Sequence, residues 1–263
     1  TSLLDRENGT TQVSYHDPTG KVASVTNAKG DTLSYTYSAQ KQTFTDPDNP
    51  ANSVEFTFYV LKQIDSPDGT SESFSYDEKG NILSHTDQAG KTWTYTYNDQ
   101  GQELTITNPE DGVTSYTYNA DATLATSTDS DTGVTSYLYD EYKRVQTILR
   151  PDNTKVQIAY DLNNRITSVT DELNRTYAYT YDANGNLASI TDPDNKQTVL
   201  SHDLMDRVTE TVNARGKKSQ YAYDTMNRVQ SVTDPNGNQV QYDYTSRGWL
   251  NAFTDGAGQV WST

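Results

Sequence analysis

The stretch YDANGNLASITDPDNKQT, residues 181–198, decides the fold of this chain. Near-copies lie on both sides of it, YDLNNRITSVTDELNRT at 160–176 and YDTMNRVQSVTDPNGNQ at 223–239. Each copy alternates apolar and polar residues over a few positions and carries a turn signal at both ends, which is typical of a β-hairpin. We therefore expect one hairpin to be repeated along the chain.

The repeat has a period of 21 residues, marked by the aromatic residue that stands before the Asp or Asn of most copies. Upstream the phase is looser, with markers predicted at Tyr15, Tyr37 and Phe58. We interpret 1–263 as one array, with looser repeats over 1–75 and regular repeats over 76–263. The regular markers give eight equal spacings and are Tyr76, Tyr97, Tyr118, Tyr139, Tyr160, Tyr181, His202, Tyr223 and Tyr244.

A second large side chain precedes each marker by two residues, and the residue between them is usually small or β-branched. Positions two apart in a strand point to the same face. The pairs therefore predict a structural aromatic ladder on one face of the sheet. Its members are Tyr35, Tyr37, Phe56, Phe58, Phe74, Tyr76, Tyr95, Tyr97, Tyr116, Tyr118, Tyr137, Tyr139, Tyr160, Tyr179, Tyr181, Tyr221, Tyr223, Tyr242 and Tyr244.

Two turn signals separate the strands of each copy. The first places Gly or Asn four residues after the marker, as Gly185 follows Tyr181, and the second is of the type DPDN at 192–195. Gly and Asn tolerate the left-handed backbone that tight turns need. Ala122 and Lys143 stand where Gly or Asn is expected, so we expect those two turns to adopt another geometry.

With two short strands and two tight turns per copy, there is no room for a helix, and consecutive strands are expected to pair antiparallel. The predicted fold is all-β: a long antiparallel ribbon of about twelve two-stranded repeats. Open sheets beyond about ten strands curl or close. We therefore expect the ribbon to coil into a spiral β-shell or solenoid, with its tyrosine face hidden.

Composition narrows the class of function. Only 32% of the residues are hydrophobic, but 20 tyrosines argue against disorder. A net charge of −16 disfavours nucleic acid, because affinity there rests on neutralising phosphates. No apolar run approaches the roughly 18 residues of a membrane helix, and the chain carries no signal peptide.

No residue pattern predicts catalysis, a metal site or a cofactor. The three histidines, His16, His85 and His202, are isolated in the sequence, and His202 takes a ladder position. The acidic clusters TDPDNP at 45–50 and TDSDTG at 128–133 lack the spacing of known calcium loops and are expected to form turns. Aromatic rings stack on sugars, so Trp93, Trp249 and Trp261 are the candidate carbohydrate contacts.

The repeated YDANGNLASITDP, YDEKGNILSHTDQAG and YDTMNRVQSVTDPNGN resemble the YD repeat, also called the RHS repeat, over essentially the whole chain. The family includes bacterial Rhs and wall-associated polymorphic toxins, the C component of Tc toxins, and teneurins. The resemblance implies a hollow β-shell that, in the toxins, encloses a C-terminal toxic domain, and it implies a secreted or cell-surface parent protein.

The sequence and the resemblance together predict a non-catalytic shell segment whose partners are the rest of its own array and an enclosed toxin or cargo domain. The alternative is an extracellular adhesion or carbohydrate-binding module. The sequence enters through LLDRENGTTQVSY, with a DRENG turn at 5–9, and stops at TDGAGQVWST; both ends fall in mid-repeat, so we expect a fragment of a longer array. Open edge strands at both ends would then favour edge-to-edge self-association.

Overall fold

The computed structural model describes residues 2–4, 10–16, 19–46, 48–49 and 51–262, so the expected turn at 5–9 lies outside them. The described residues form strands and turns and contain no helix. The chain divides into two compact units, Thr1–Ser136 and Tyr137–Thr263. The all-β prediction is confirmed.

The first unit is built from eleven strands and the start of a twelfth, each antiparallel to the next along the chain. The strands are β1 (Ser2–Leu4), β2 (Thr10–His16), β3 (Lys21–Thr26), β4 (Thr32–Thr45), β5 (Ser53–Asp65), β6 (Ser71–Tyr76), β7 (Ile82–Thr86), β8 (Thr92–Tyr97), β9 (Glu103–Thr107), β10 (Val113–Tyr118), β11 (Leu124–Thr128) and β12 (Val134–Tyr139).

In the second unit the strands from β13 onward again pair antiparallel in chain order. They are β13 (Val145–Leu149), β14 (Lys155–Tyr160), β15 (Ile166–Thr170), β16 (Thr176–Tyr181), β17 (Leu187–Thr191), β18 (Gln197–His202), β19 (Val208–Val212), β20 (Lys218–Tyr223), β21 (Val229–Thr233), β22 (Gln239–Tyr244), β23 (Leu250–Thr254) and β24 (Val260–Ser262).

Except for Phe58, every predicted marker for which the register is given lies at a β-bulge. In β16, Thr180 faces Ser189 while Tyr181 faces Leu187, so Ala188 of β17 has no residue opposite it. The hairpins closed by the second turn signal keep a regular register, as Thr191 opposite Gln197 shows. A bulge bends the strand and adds local twist, so each repeat bends once, at its marker.

Both turn signals produce the same loop, although their sequences differ. The N–H of Gly185 donates to the carbonyl of Asp182 at 3.1 Å, and the N–H of Asp182 donates to the carbonyl of Asn186 at 2.9 Å. Asp192, Asn195 and Lys196 repeat this pair of bonds at 2.9 Å each. This is a type I turn followed by a left-handed residue, a common three-residue hairpin loop.

The expectation of another geometry at Ala122 and Lys143 is wrong. Ala122 has φ 70° and Lys143 has φ 61°, and both N–H groups make the turn bond of their glycine counterparts. The flanking strands fix the number of residues in the loop, so the fourth residue must be left-handed whatever its side chain. Such a conformation costs a residue with a Cβ roughly 1 kcal/mol or more.

Replacing Ala122 with glycine is therefore expected to raise the free energy of unfolding by about 0.5–1 kcal/mol, because the strain is lost while the unfolded chain gains some entropy. Urea unfolding followed by circular dichroism measures the change. Ala120→Gly, in the same loop but outside the left-handed region, is the control and is expected to be neutral or destabilising. Equal destabilisation by both substitutions would contradict the argument.

One hairpin is much longer than the rest. Tyr37 and Leu61 face each other across a bulge as Tyr76 and Ile82 do, but 23 residues separate them instead of five. The interval from Tyr37 to Tyr76 is 39 residues, so this repeat carries an 18-residue extension. The interpretation of Phe56 and Phe58 as the aromatic pair of a separate repeat is corrected: both lie within the extension.

The sheet has no conventional hydrophobic core. Among the described residues no hydrophobic side chain is fully buried, and Ser189, 5% exposed, is the one buried residue. Strands such as β14 alternate exposed and half-buried residues, and the half-buried face carries the marker and the residue two before it. Stability must therefore come from contacts between neighbouring strands and repeats, as in other repeat proteins.

Candidate functional site

The repeated feature with the most side-chain chemistry is the turn that follows each marker, together with the marker of the next repeat. We call this set the YD lattice. It consists of a marker tyrosine, the Asp after it, the residue four positions after that Asp, and the next marker. The lattice is regular where that fourth residue is arginine, at Arg144, Arg165, Arg207 and Arg228.

The marker tyrosine ties its strand to the preceding one through its hydroxyl. Tyr160 in β14 donates a hydrogen bond of 2.9 Å to the carbonyl of Val145, the first residue of β13. The same bond, between residues 15 positions apart, recurs along the chain at 2.7–3.0 Å. The donors are Tyr37, Tyr76, Tyr118, Tyr160, Tyr181, Tyr223 and Tyr244.

The Asp after the marker holds the turn closed. Oδ1 of Asp161 accepts hydrogen bonds from the backbone N–H groups of Asn163 at 2.8 Å and Arg165 at 3.0 Å. A short acceptor side chain can bond the backbone two and four residues on only when the chain turns back on itself, so Asp or Asn is favoured here. Asp192 makes the same two bonds in the second kind of turn.

The arginine then connects one repeat to the next. Nε and Nη2 of Arg165 both lie 2.7 Å from Oδ2 of Asp161. The guanidinium is thereby held over the ring of Tyr181, 4.4 Å from its centroid. A cation over an aromatic face is attracted by the ring quadrupole. Arg144, Arg207 and Arg228 repeat this stacking on the following marker at 4.5–4.6 Å.

Adjacent turns are also bonded directly. Nη1 of Arg144 donates to the carbonyl of Asp161 at 2.8 Å and to Oδ1 of Asn164 at 2.9 Å. Where arginine is absent, other side chains at the same position reach the next turn, as Asn186 does to Asp206 at 2.7 Å and Gln102 to the carbonyl of Ala122 at 3.0 Å. The position therefore links adjacent turns when it carries Arg144, Asn186 or Gln102.

The lattice sets the pKa values of its members. The backbone N–H of Arg165 and then its side chain stabilise the ionised carboxylate of Asp161 and, although burial opposes them, lower its pKa below 3.8. The side chain of Arg207 likewise lowers the pKa of Asp203. Burial raises the pKa of Tyr76 above 10.0, and burial with the nearby Glu103 does the same for Tyr118.

These directions predict stability that is constant near neutral pH and falls on both sides. The carboxylates contribute above their unfolded pKa of 3.8, and their contribution is lost as pH drops below about 4. The tyrosines contribute below their unfolded pKa of 10.0, and theirs is lost as pH rises above about 10. Urea midpoints measured across this range test the prediction; a midpoint unchanged down to about pH 2.5 would contradict it.

The candidate tryptophans lie in different surroundings. Trp93 in β8 stacks on His85, with ring centroids 5.5 Å apart. Trp261 stacks on Phe253 at 6.3 Å and is 49% exposed, while Trp249 is 58% exposed. Trp93 therefore has one ring face covered by the protein. Carbohydrate binding at the three tryptophans stays a prediction.

One side-chain cluster was not anticipated from the sequence. His85 in β7 is sandwiched between Phe74, at 4.8 Å, and Trp93, and its Nε2 lies 2.6 Å from Oε1 of Glu72. Phe74 and Trp93 face His85 from the two adjacent strands, so the cluster can be recognised only when the strand register is known. His202 takes the register of a marker opposite Val208. No group of three or more metal-ligating side chains occurs within the described residues.

A single hairpin lattice copied along the chain defines a tandem-repeat protein of the all-β class. The RHS Repeat family matches residues 76–113, 160–197, 181–218, 202–239 and 223–260, together just over half of the chain. The chain belongs to this family. None of the curated proteins matches it.

Several solved structures share the fold. In the Tc holotoxin pore of Photorhabdus luminescens, a chain aligns with 94% of this one at 17% identity and a TM-score of 0.55. The crystal structures of TcdB2-TccC3-TEV and of TcdB2-TccC3 without its hypervariable C-terminal region align at 15 and 16% identity, each with a TM-score of 0.50, over 94 and 97% of this chain. This chain spans only 15–19% of their lengths. The described residues include no helix able to span a membrane.

Proposed function

We propose that this chain is a non-catalytic wall segment of a larger RHS-repeat shell, and that the shell encloses a cargo polypeptide such as a toxin domain. The observation that carries the proposal is the YD lattice. Its hydroxyl and guanidinium groups tie strands and repeats together, as Tyr160 and Arg165 do, while Asp161 closes the turn and holds Arg165 in place. Within the described residues, no buried side-chain polar atom lacks a hydrogen-bond partner. The polar groups of the lattice are therefore engaged with one another, which supports a structural role for this surface.

The arrangement also suits a wall because it can be lengthened without a limit set by a core. Each 21-residue repeat adds two strands, or roughly 10 Å of sheet at about 4.8 Å per strand. The new repeat brings its own tyrosine hydroxyl bond and, in the arginine-bearing copies, its own stacked guanidinium. An array of this kind extends by repetition and bends at each bulge.

Enclosure of a cargo is supported by the kind of protein in which similar folds are found. The similar structures are components of a Tc holotoxin pore and of TcdB2-TccC3 assemblies. Because this chain spans less than a fifth of those chains, enclosure is assigned to the longer array and not to this segment alone. The match to the RHS Repeat family supports a secreted or cell-surface location for the longer parent protein.

Protease protection tests the proposal. The array is lengthened with tandem copies of residues 76–243, eight whole repeats, and an unfolded reporter polypeptide is fused after Thr263. We expect the reporter to resist trypsin increasingly as the array lengthens, because a wall that closes around it excludes the protease. The reporter alone is the control. Cleavage of the fused reporter at the control rate for every array length would contradict enclosure.

A further inference from the structure

The 18-residue extension of the β4–β5 hairpin is not needed by the repeat. Tyr37 and Tyr76 both make their lattice bonds, to Val22 and to Leu61, as if the chain between Tyr37 and Leu61 were an ordinary turn. We call residues 38–60, which stand in place of an ordinary five-residue turn, the arm. Both hydroxyl bonds form although the arm takes the place of the Asp-containing turn of the other repeats, so the length of the arm is not required for them.

The arm has two open edges. Strand β3 pairs with β4 only at Thr32–Ser34, and β6 pairs with β5 only at Gln63–Asp65. Beyond those residues β4 and β5 pair with each other as far as Thr45 opposite Ser53, and no third strand of the described residues joins them. Each outer edge therefore presents a row of backbone N–H and C=O groups, which is a template for another strand.

These edges carry few of the features that usually prevent strand addition. Soluble proteins place charges, prolines or bulges on exposed edges. Across 38–45 and 53–60 there is no proline or glycine, and the two charged residues, Lys41 and Glu55, neutralise each other at 2.8 Å. The pairing from Ser38 opposite Val60 to Thr45 opposite Ser53 runs without a bulge.

One face of the arm is uncharged and increasingly apolar toward its tip. Phe58, half-buried at the base, approaches the turn at Gly80, where an added Cβ would lie 3.0 Å from its ring. Nearer the tip, Phe44 and Phe56 pack edge to face at 5.6 Å, yet they and Val54 are 54–56% exposed. In a chain of net charge −16, an uncharged apolar face selects against charged partners.

We infer that the arm binds an extended, uncharged, apolar polypeptide segment by strand addition to an open edge. The edge supplies backbone hydrogen bonds, and the alternation of side chains around Phe44, Val54 and Phe56 supplies a surface for every second residue of the incoming strand. The partner is thus unfolded or locally unfolded polypeptide, recognised by its backbone and its lack of charge. This inference rests on the proposed function only in that an enclosed cargo is the natural source of such a segment.

The test compares the whole chain with a variant in which residues 38–60 are replaced by DEKGN, the turn found at 77–81. The probe is a fluorescent, end-capped decapeptide that alternates valine with threonine, and binding is measured by fluorescence anisotropy. We expect the replacement to weaken binding at least about tenfold, since every backbone contact to the arm is lost. Circular dichroism and urea unfolding establish that the shortened variant is folded.

Two matched controls separate strand addition from simple apolar adhesion. The double variant Phe44→Ser, Phe56→Ser is expected to weaken binding several-fold, whereas Thr43→Ser, Thr57→Ser on the opposite face leaves it unchanged. The same decapeptide with alternate backbone nitrogens methylated keeps its side chains but loses donors, and it is expected not to bind. Equal binding to the whole chain and the shortened variant would overturn the inference, as would undiminished binding of the methylated peptide.

Light scattering addresses a second copy of this chain as the occupant. If the whole chain forms a dimer that the shortened variant does not, and the peptide does not compete with it, the arm is a dimer contact and the inference is wrong. The peptide experiment requires no closed shell, and the protease-protection experiment works equally well in an array with the arm removed. Failure of one proposal is therefore distinguishable from failure of the other.

Discussion

Replacing Tyr160 with alanine is expected to lower the free energy of unfolding by about 3 kcal/mol. The variant loses the half-buried ring, worth roughly 1 kcal/mol or more, the hydroxyl bond to Val145, worth about 1 kcal/mol, and the stacked Arg144, worth about 0.5–1 kcal/mol. Among the described residues no apolar side chain is fully buried, so there is no core whose packing could offset the loss of one tyrosine. Urea unfolding followed by circular dichroism measures the change.

Tyr160→Phe separates the hydroxyl from the ring. It keeps the ring and the stacked guanidinium but loses the bond to Val145, so we expect a loss of about 1 kcal/mol. Leu162→Ala, at a turn position 89% exposed, is the matched control and is expected to change stability by less than about 0.5 kcal/mol. If Tyr160→Ala were no more destabilising than Leu162→Ala, the lattice would not be what holds neighbouring repeats together.

The second large effect is the loss of stability on deletion, which we expect to depend on the number of residues removed and hardly on which residues they are. Removal of residues 182–202, one whole repeat, joins Tyr181 to Asp203 and restores a marker followed by its turn. Arg165 still stacks on Tyr181, and Arg207 still stacks on Tyr223. We expect this shortened chain to fold with a slightly lower stability, because a repeat array loses one unit and one interface.

Removal of residues 182–191, about half a repeat, is expected to be far more damaging. The segment 197–202 would then follow Tyr181 directly through the turn at 192–196, which puts one tyrosine-type strand next to another. Strand β17 and the bulge at which Tyr181 faces Leu187 would be removed, so β16 would have to pair with β18 instead, and the loss is expected to be on the order of several kcal/mol. Far-ultraviolet circular dichroism and urea unfolding compare the two deletion variants. Equal free energies of unfolding would show that keeping the 21-residue period does not matter for stability.

Much of the YD lattice could be predicted because its signals are local. An Asp at the start of a turn and a Gly or Asn three residues later specify the hairpin loop through bonds made within five residues. The alternation of side chains fixes which residues share a face, so the common face of Tyr179 and Tyr181 followed from their spacing. The prediction for the turns at Ala122 and Lys143 is wrong because it follows local propensity. The flanking strands impose the loop there, whatever side chain the fourth residue carries.

The extension at β4–β5 was misread for a related reason. Phe56 and Phe58 imitate an aromatic pair, and Phe58 lies 21 residues after Tyr37. Period alone cannot distinguish an independent repeat from an insertion that resembles one. The register does, because Tyr37 faces Leu61 and Tyr76 bonds to the carbonyl of the same leucine.

The sequence by itself determined the strands, the turns, the period and the face on which each tyrosine stands, since all of these depend on residues close together in the chain. Only the tertiary structure decided which groups meet across repeats: the guanidinium of Arg165 over Tyr181, His85 between Phe74 and Trp93, and the open edges of the arm. The ring contacts join residues 8–16 positions apart, and they and the open edges depend on register and on bulges. A one-residue change in register moves every side chain to the other face, so no count along the sequence can replace the pairing itself.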